Sequence, residues 1–270
     1  MQNQFNLTRF GRLFKKHTAE HYKGHFMSLV VLLGVLTLIL GFLTYMEKRP
    51  LKISAQTGIF CFGLLAAGTI FTSSIFSNLG DKKTAIPALT LPASHFEKYL
   101  LAWIYSFVLF LIFYTAAFYL VNIIILNLAE APGKPKQILN VFDTENEIYQ
   151  IYLAYTFLHA FTIWGAIYFQ KMHFVKIAFT FFLSVAALVL LNYSVMKAML
   201  GTNVRSAVPF GSVTLQEGEY QKFNNQNYIN YQYFNLSVFE EHSATILIGF
   251  MLMAIMLWLA SYMRLKEKQV

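Results

Sequence analysis

Residues 26–46 read FMSLVVLLGVLTLILGFLTYM, 21 positions without an Asp, Glu, Lys or Arg. A helix needs about 20 predominantly apolar residues to cross ~30 Å of hydrocarbon, so this stretch alone is long enough to span a bilayer. Five more windows of the same kind follow at 58–79, 99–129, 148–170, 177–196 and 242–263. All 34 charged residues, 21 basic and 13 acidic, fall between the windows. The expected fold is an all-α membrane protein of six transmembrane helices.

Composition points the same way. With 57% hydrophobic, 17% aromatic and 13% charged residues, and a mean hydropathy of +0.50, a soluble globule would lack the polar surface it needs. The first window follows Arg9, Arg12, Lys15, Lys16 and Lys23, and no small-residue cleavage site closes it at Tyr45-Met46-Glu47. It therefore reads as a retained span and not a signal peptide. With the N-terminus inside, 13 Lys and Arg face the cytoplasm and 8 face outward. That distribution puts both termini in the cytoplasm, against the grain of Lys48, Arg49 and Lys52 in the first outer loop. A charge of +8 then calls for anionic headgroups and not nucleic acid. Cys61 is the one cysteine and lies inside a window, which excludes an intrachain disulfide and a cysteine-based metal site.

Between the windows the chain divides further. In 1–25, Phe5, Phe10, Leu13 and Phe14 alternate with the five basic residues, as in an amphipathic elbow helix lying at the headgroups. The six-helix domain would then run over 26–263, with a cytoplasmic tail at 264–270. Residues 80–98, GDKKTAIPALTLPASHFEK, carry Pro87 and Pro92 and continue neither flanking span. Within them Ser94 and Glu97 have the spacing of a capping box that starts the third helix. Residues 131–147 read as an outer loop and 171–176 as a tight cytoplasmic hairpin. The longest connection, 197–241, has 45 residues rich in Asn, Gln, Tyr and Phe; it is expected as a small outer cap or a pair of re-entrant segments, its aromatics anchored at the interface.

Signs of chemistry are few. His17-Thr18-Ala19-Glu20-His21 matches the HxxEH pattern, in which two histidines bind zinc and the glutamate activates water. Its place in a basic helix before the first span supplies neither a third ligand nor a water-filled cleft. His17, His21 and His25 share one helical face by their spacing of four. His159 is the one histidine in the central part of a window, where a polar group more often bonds a neighbouring helix than does chemistry. No charged residue lies within a span, as ion-coupled carriers usually show, and no GxxxxGK[ST] phosphate loop occurs. Gly63, Ala66, Ala67 and Gly68 are small enough to let helices pack closely.

Thr90-Leu91-Pro92-Ala93-Ser94 with Glu97-Lys98 resembles the LPxS…EK segment after the second span in permease subunits of bacterial ABC exporters of the second type. Phe169–Lys176 and the terminal Tyr262–Lys268 add to the resemblance, as do the span spacing, the elbow and the large segment between the fifth and sixth spans. The resemblance implies an inner-membrane, multi-pass permease that is not itself catalytic and takes no cofactor. It implies as partners a separate ABC ATPase, membrane lipids, and a second permease copy or a related permease. It also implies a coupling segment at 78–98 that docks on the ATPase. There Asp81, Lys82, Lys83, Glu97 and Lys98 would make rim ion pairs and Ile86, Leu89, Leu91 and Phe96 an apolar centre, with Ser94 as the cap. Two other readings stay open: a non-transporting membrane scaffold or assembly factor, and an enzyme centred on the HxxEH segment.

Overall fold

The computed structural model describes residues 5–80, 93–129, 137–142, 148–169, 172–201, 203–223 and 226–267. Its helices are α1 (Leu7–Glu47), α2 (Ile53–Gly80), α3 (His95–Trp103), α4 (Phe110–Leu128), α5 (Ile148–Tyr168), α6 (His173–Leu200) and α7 (Val238–Glu267). A π-helical turn, Ile104–Leu109, joins α3 to α4, so the two run on as one 34-residue apolar span. Six described helical stretches are long and apolar enough to cross a membrane. This is a helical, multi-pass membrane protein.

The chain forms two compact units, one of Met1–Phe174 with Ala254–Val270 and one of Val175–Met253. In the first, α2 packs mainly on α5 and α1 on α4. Phe60, Leu64, Tyr114, Phe118 and Tyr155 are fully buried at its centre. Gly63 lies beneath the Tyr114 ring and Gly68 beneath the Tyr155 ring; a Cβ at either would collide with the aromatic. These two glycines let α2 approach its neighbours, the close packing expected of the small residues at 63–68. The Tyr114 hydroxyl uses the approach to donate to the Phe60 carbonyl at 2.8 Å.

The second unit departs from the all-α expectation by holding strands. Residues 197–241 hold a three-stranded antiparallel sheet in the order β1 (Val204–Ala207), β2 (Ser212–Phe223), β3 (Gln226–Ser237). β2 and β3 pair without a slip from Ser212 opposite Ser237 to Phe223 opposite Gln226. Val204, Ala207 and Val213 bury against Tyr193 and Met196 of α6. One local signal is Tyr231-Gln232-Tyr233, which alternates at a strand's period. A hairpin also satisfies backbone groups internally, which a loop of this length would leave to solvent.

The N-terminal segment departs too. α1 passes residue 25 without a break, 41 residues in one helix, about 62 Å long at 1.5 Å per residue. That is twice the hydrocarbon thickness. The basic segment is thus the first span's own extension, and no turn separates an elbow from it. Asn6 starts the helix by accepting from the Thr8 and Arg9 amides, and Lys48 ends it in a left-handed conformation at φ 50°.

Candidate functional site

The start of α3 is built around one carboxylate. The Ser94 hydroxyl accepts from the Glu97 amide at 3.2 Å and Glu97 Oε2 accepts from the Ser94 amide at 2.9 Å, the capping box expected from their spacing. Glu97 does more than cap its own helix. Its Oε1 accepts from the Asn6 amide at 2.9 Å, and the Arg9 guanidinium grips both oxygens, Nε to Oε2 at 2.8 Å and Nη2 to Oε1 at 2.7 Å. This two-point geometry is the strong form of a charged hydrogen bond. The Glu97 side chain has no exposure, whereas Arg9 keeps 26%. One buried acid therefore organises the first turns of two helices 88 residues apart.

Aromatic contacts tie a third element to this junction. Phe96 meets Phe5 edge-on, with ring centroids 6.1 Å apart, and meets Tyr262 of α7 in the same way at 6.1 Å. The Tyr99 hydroxyl donates to the Trp258 carbonyl at 3.1 Å. Of the residues expected to couple to a partner, Ser94, Phe96, Glu97 and Lys98 thus sit where α1, α3 and the end of α7 converge. Glu97 and Lys98 are buried and do not form the exposed rim expected of them; Phe96 remains 44% exposed. Asp81, Lys82, Lys83, Ile86, Leu89 and Leu91 lie outside the described residues. Sequence reading missed Asn6 and Arg9 as partners of Glu97, since nothing local marks a contact of that separation.

The histidines of α1 form a ladder. His17 and His21 stack at 4.3 Å between centroids, His21 Nδ1 lies 3.1 Å from the His17 carbonyl oxygen, and His25 stacks on Tyr105 at 5.3 Å. No group of three His, Cys, Asp or Glu among the described residues is arranged to hold a metal ion. Glu20 pairs with Lys16 at 3.7 Å on the exposed side. The HxxEH match therefore has none of the geometry its chemistry requires.

A second polar cluster sits at the π-helical turn. His159 of α5, fully buried, meets the Ser106 hydroxyl through Nε2 at 2.9 Å, and the Tyr155 hydroxyl donates to the Ser106 carbonyl at 3.0 Å. Tyr155 and His159, one helical turn apart, thus both engage Ser106, where the wider π turn redirects the backbone. This is the interhelical bond expected of a lone intramembrane histidine.

A laterally open cavity of about 1140 Å³ lies between α1, α2 and the α3–α4 span. Leu32, Leu36, Ile59, Ala67 and Phe110 line it along its length, and Thr18, Tyr22, His25 and Tyr105 close one end. The Thr18 and Tyr105 hydroxyls bond to one another there. Such a groove accepts an apolar chain and offers a few polar groups at one end to orient it. No family model, curated protein or solved structure matches the chain.

Proposed function

We propose that the chain is the transmembrane permease subunit of an ATP-driven ABC exporter of the second type. It works with a separate nucleotide-binding subunit and with a second copy or a related permease, in a bacterial inner membrane with both termini cytoplasmic. The observation that carries this reading is the Glu97 junction. Residues 78–98 lead into a helix start that is fastened to α1 by Arg9 and Asn6. A force applied to that segment by a partner therefore enters two spans at once instead of being lost in a loose loop. The chain itself supplies no phosphate-binding loop, so hydrolysis belongs to the partner. In this reading the basic start of α1, continuous with the first span, stands beside the ATPase, and the sheet at 204–237 forms the outer cap.

A scaffold or assembly factor is the competing reading, because spans without charge are also what a passive membrane anchor needs. Purification of the tagged chain from its native membrane in mild detergent, with mass spectrometry of partners and an ATPase assay, separates the two. A stoichiometric ATPase whose hydrolysis responds to charge reversal at Lys82 and Lys83 supports the permease. A clean preparation without one leaves the scaffold.

A further inference from the structure

We infer that the turn Val208–Gly211, between β1 and β2, inserts into the bilayer leaflet where α6 ends and α7 begins, with Val208 and Phe210 among the acyl chains. Every residue involved belongs to the second unit. α6 ends at Leu200, Gly201 reverses the chain at φ 82°, and β1 runs back beside the helix it has just left. The Ala207 carbonyl accepts from the Asn192 side-chain amide at 3.3 Å, and Val204, Ala207 and Val213 bury against Tyr193 and Met196.

Two helices measure the depth. Asn192 lies five residues before Lys197, the charge that closes the fifth apolar window, or about 7.5 Å along the axis. The Phe210 ring meets the Phe250 ring of α7 edge-on, with centroids 5.3 Å apart. Phe250 lies nine residues past Glu241, the last charge before the sixth window, or about 13.5 Å along that axis. Helical side chains lean toward the N-terminus of their helix, so this ring contact is shallower than the Phe250 backbone. Charges that flank a span belong at the headgroups. Both measures therefore place the turn below them, in the upper part of a leaflet whose hydrocarbon is about 15 Å thick.

The turn suits that depth. Val208, Pro209, Phe210 and Gly211 carry no polar side chain, and Val208 and Phe210 are 55% and 47% exposed. Backbone at membrane depth has to bond internally. Pro209 has no N–H, the Val208 amide donates to the Ser212 carbonyl at 3.1 Å, and the Gly211 amide donates to the Val208 carbonyl at 3.0 Å. Arg205, the nearest charge in sequence, lies over the Tyr233 ring of the sheet at 4.7 Å. At the same level of α6 and α7, Leu190, Leu191, Ile248 and Met251 are exposed as well, so the turn shares its depth with apolar side chains that face lipid.

Phe210 stands at φ 59°, a left-handed backbone that turns ordinarily give to Gly or Asn and that a bulky residue adopts at a cost. Glycine comes one place later, at 211. A strained residue of this kind points to a role for its side chain. In water the ring would gain nothing from the strain; among acyl chains it removes its apolar surface from water.

The test uses the full chain in phosphatidylcholine vesicles free of nucleotide and ATPase, so its outcome is independent of the exporter reading. In a Cys61→Ala background, Val208→Cys carries an environment-sensitive fluorophore. Leu190→Cys on α6 and Glu217→Cys on β2, both at exposed positions, serve as the lipid and water references. Phospholipid spin-labelled high on its acyl chain should quench the fluorophore at 208 as strongly as at 190, and more than phospholipid labelled near the chain end. Aqueous iodide should quench it at 217 alone.

Phe210→Asp should abolish lipid quenching at 208 and admit iodide. Phe210→Gly relieves the backbone and keeps the turn folded, so it carries the test if the aspartate variant does not fold; it should weaken lipid quenching at 208 and leave 190 unchanged. Iodide quenching at 208 equal to that at 217 overturns the assignment, as does lipid quenching that both Phe210 variants leave intact. So does quenching by neither agent together with interchain disulfides from unlabelled Val208→Cys, which would show a second copy covering the turn.

Discussion

The α3–α4 span carries a polar fastening near each end, and the two are made of different chemistry. At its start the Glu97 carboxylate holds the first turn of α1 through Arg9 and the Asn6 amide. Toward its end Asn122 donates to Gln56 of α2 at 2.8 Å. Gln56 also accepts from the Leu139 amide at 3.0 Å and donates to the Leu51 and Gln137 carbonyls at 2.8 and 2.9 Å. Both centres are fully buried. Each catches a chain segment that has no helix of its own at that point, residues 5–6 in one case and 137–139 in the other.

The difference lies in what happens on rupture. Gln56 fills its two donors and its acceptor oxygen with neutral partners, so losing it strands dipoles. Losing Glu97 removes the one charge that satisfies two backbone amides and pairs with the partly exposed Arg9 guanidinium, and hydrogen bonds to a charged group are costlier to lose than neutral ones. The charged fastening belongs to the junction proposed to receive mechanical load, the neutral one to residues 137–139.

Glu97→Ala should therefore be the most damaging change, costing about 3 kcal/mol through the charged hydrogen bonds it removes from two buried backbone amides. Denaturant titration of the purified protein measures it, with Trp258 as a nearby reporter through its bond from Tyr99. Glu97→Gln keeps the shape but loses the charge and should fall between alanine and the parent. A loss smaller than that of the amide fastening would break the comparison.

Gln56→Ala comes next, at about 2 kcal/mol, the cost of leaving the Asn122 amide and the Leu139 N–H without their acceptor. The same titration reads it, and hydrogen exchange at Leu139 should quicken while exchange at the start of α3 stays as it was. Protection lost at both ends would mean that the two fastenings are one cooperative unit. Ser94→Ala should cost only about 1 kcal/mol, because it removes the local half of the capping box and leaves the Arg9 grip on Glu97 in place.

That ranking follows what was legible in the chain. The Ser94 to Glu97 spacing announced the cap, since capping is a matter of residues three apart. The spans were legible because charge is expensive in hydrocarbon, which left windows such as 26–46 without any. Arg9 gave no such signal: it is one of five basic residues before the first span, and only the folded chain selects it as the partner of Glu97. The continuity of α1 was hidden for a related reason. Basic and apolar residues at 5–25 suit a helix at the headgroups and a helix that runs on into the membrane equally well. The sheet was hidden because aromatic density at 220–239 also suits an interfacial loop. A signal that distinguishes them was present in the alternation Tyr231-Gln232-Tyr233.

Glu20→Gln carries the comparison down to its smallest step. Glu20 has the sequence context of a catalytic base and the structural context of an exposed helix residue, 53% accessible and paired with Lys16 four positions earlier. A surface pair of this kind contributes at most about 0.5 kcal/mol, so stability should shift by no more than that. Zinc content after purification in zinc-containing buffer should also match the parent, because no group of three His, Cys, Asp or Glu among the described residues is arranged to hold a metal ion. A drop in bound zinc, or loss of a hydrolytic activity on substitution, would restore chemistry to this segment. Retention of both would leave Glu97, buried and four times bonded, as the carboxylate whose environment sets it apart from its exposed counterpart on α1.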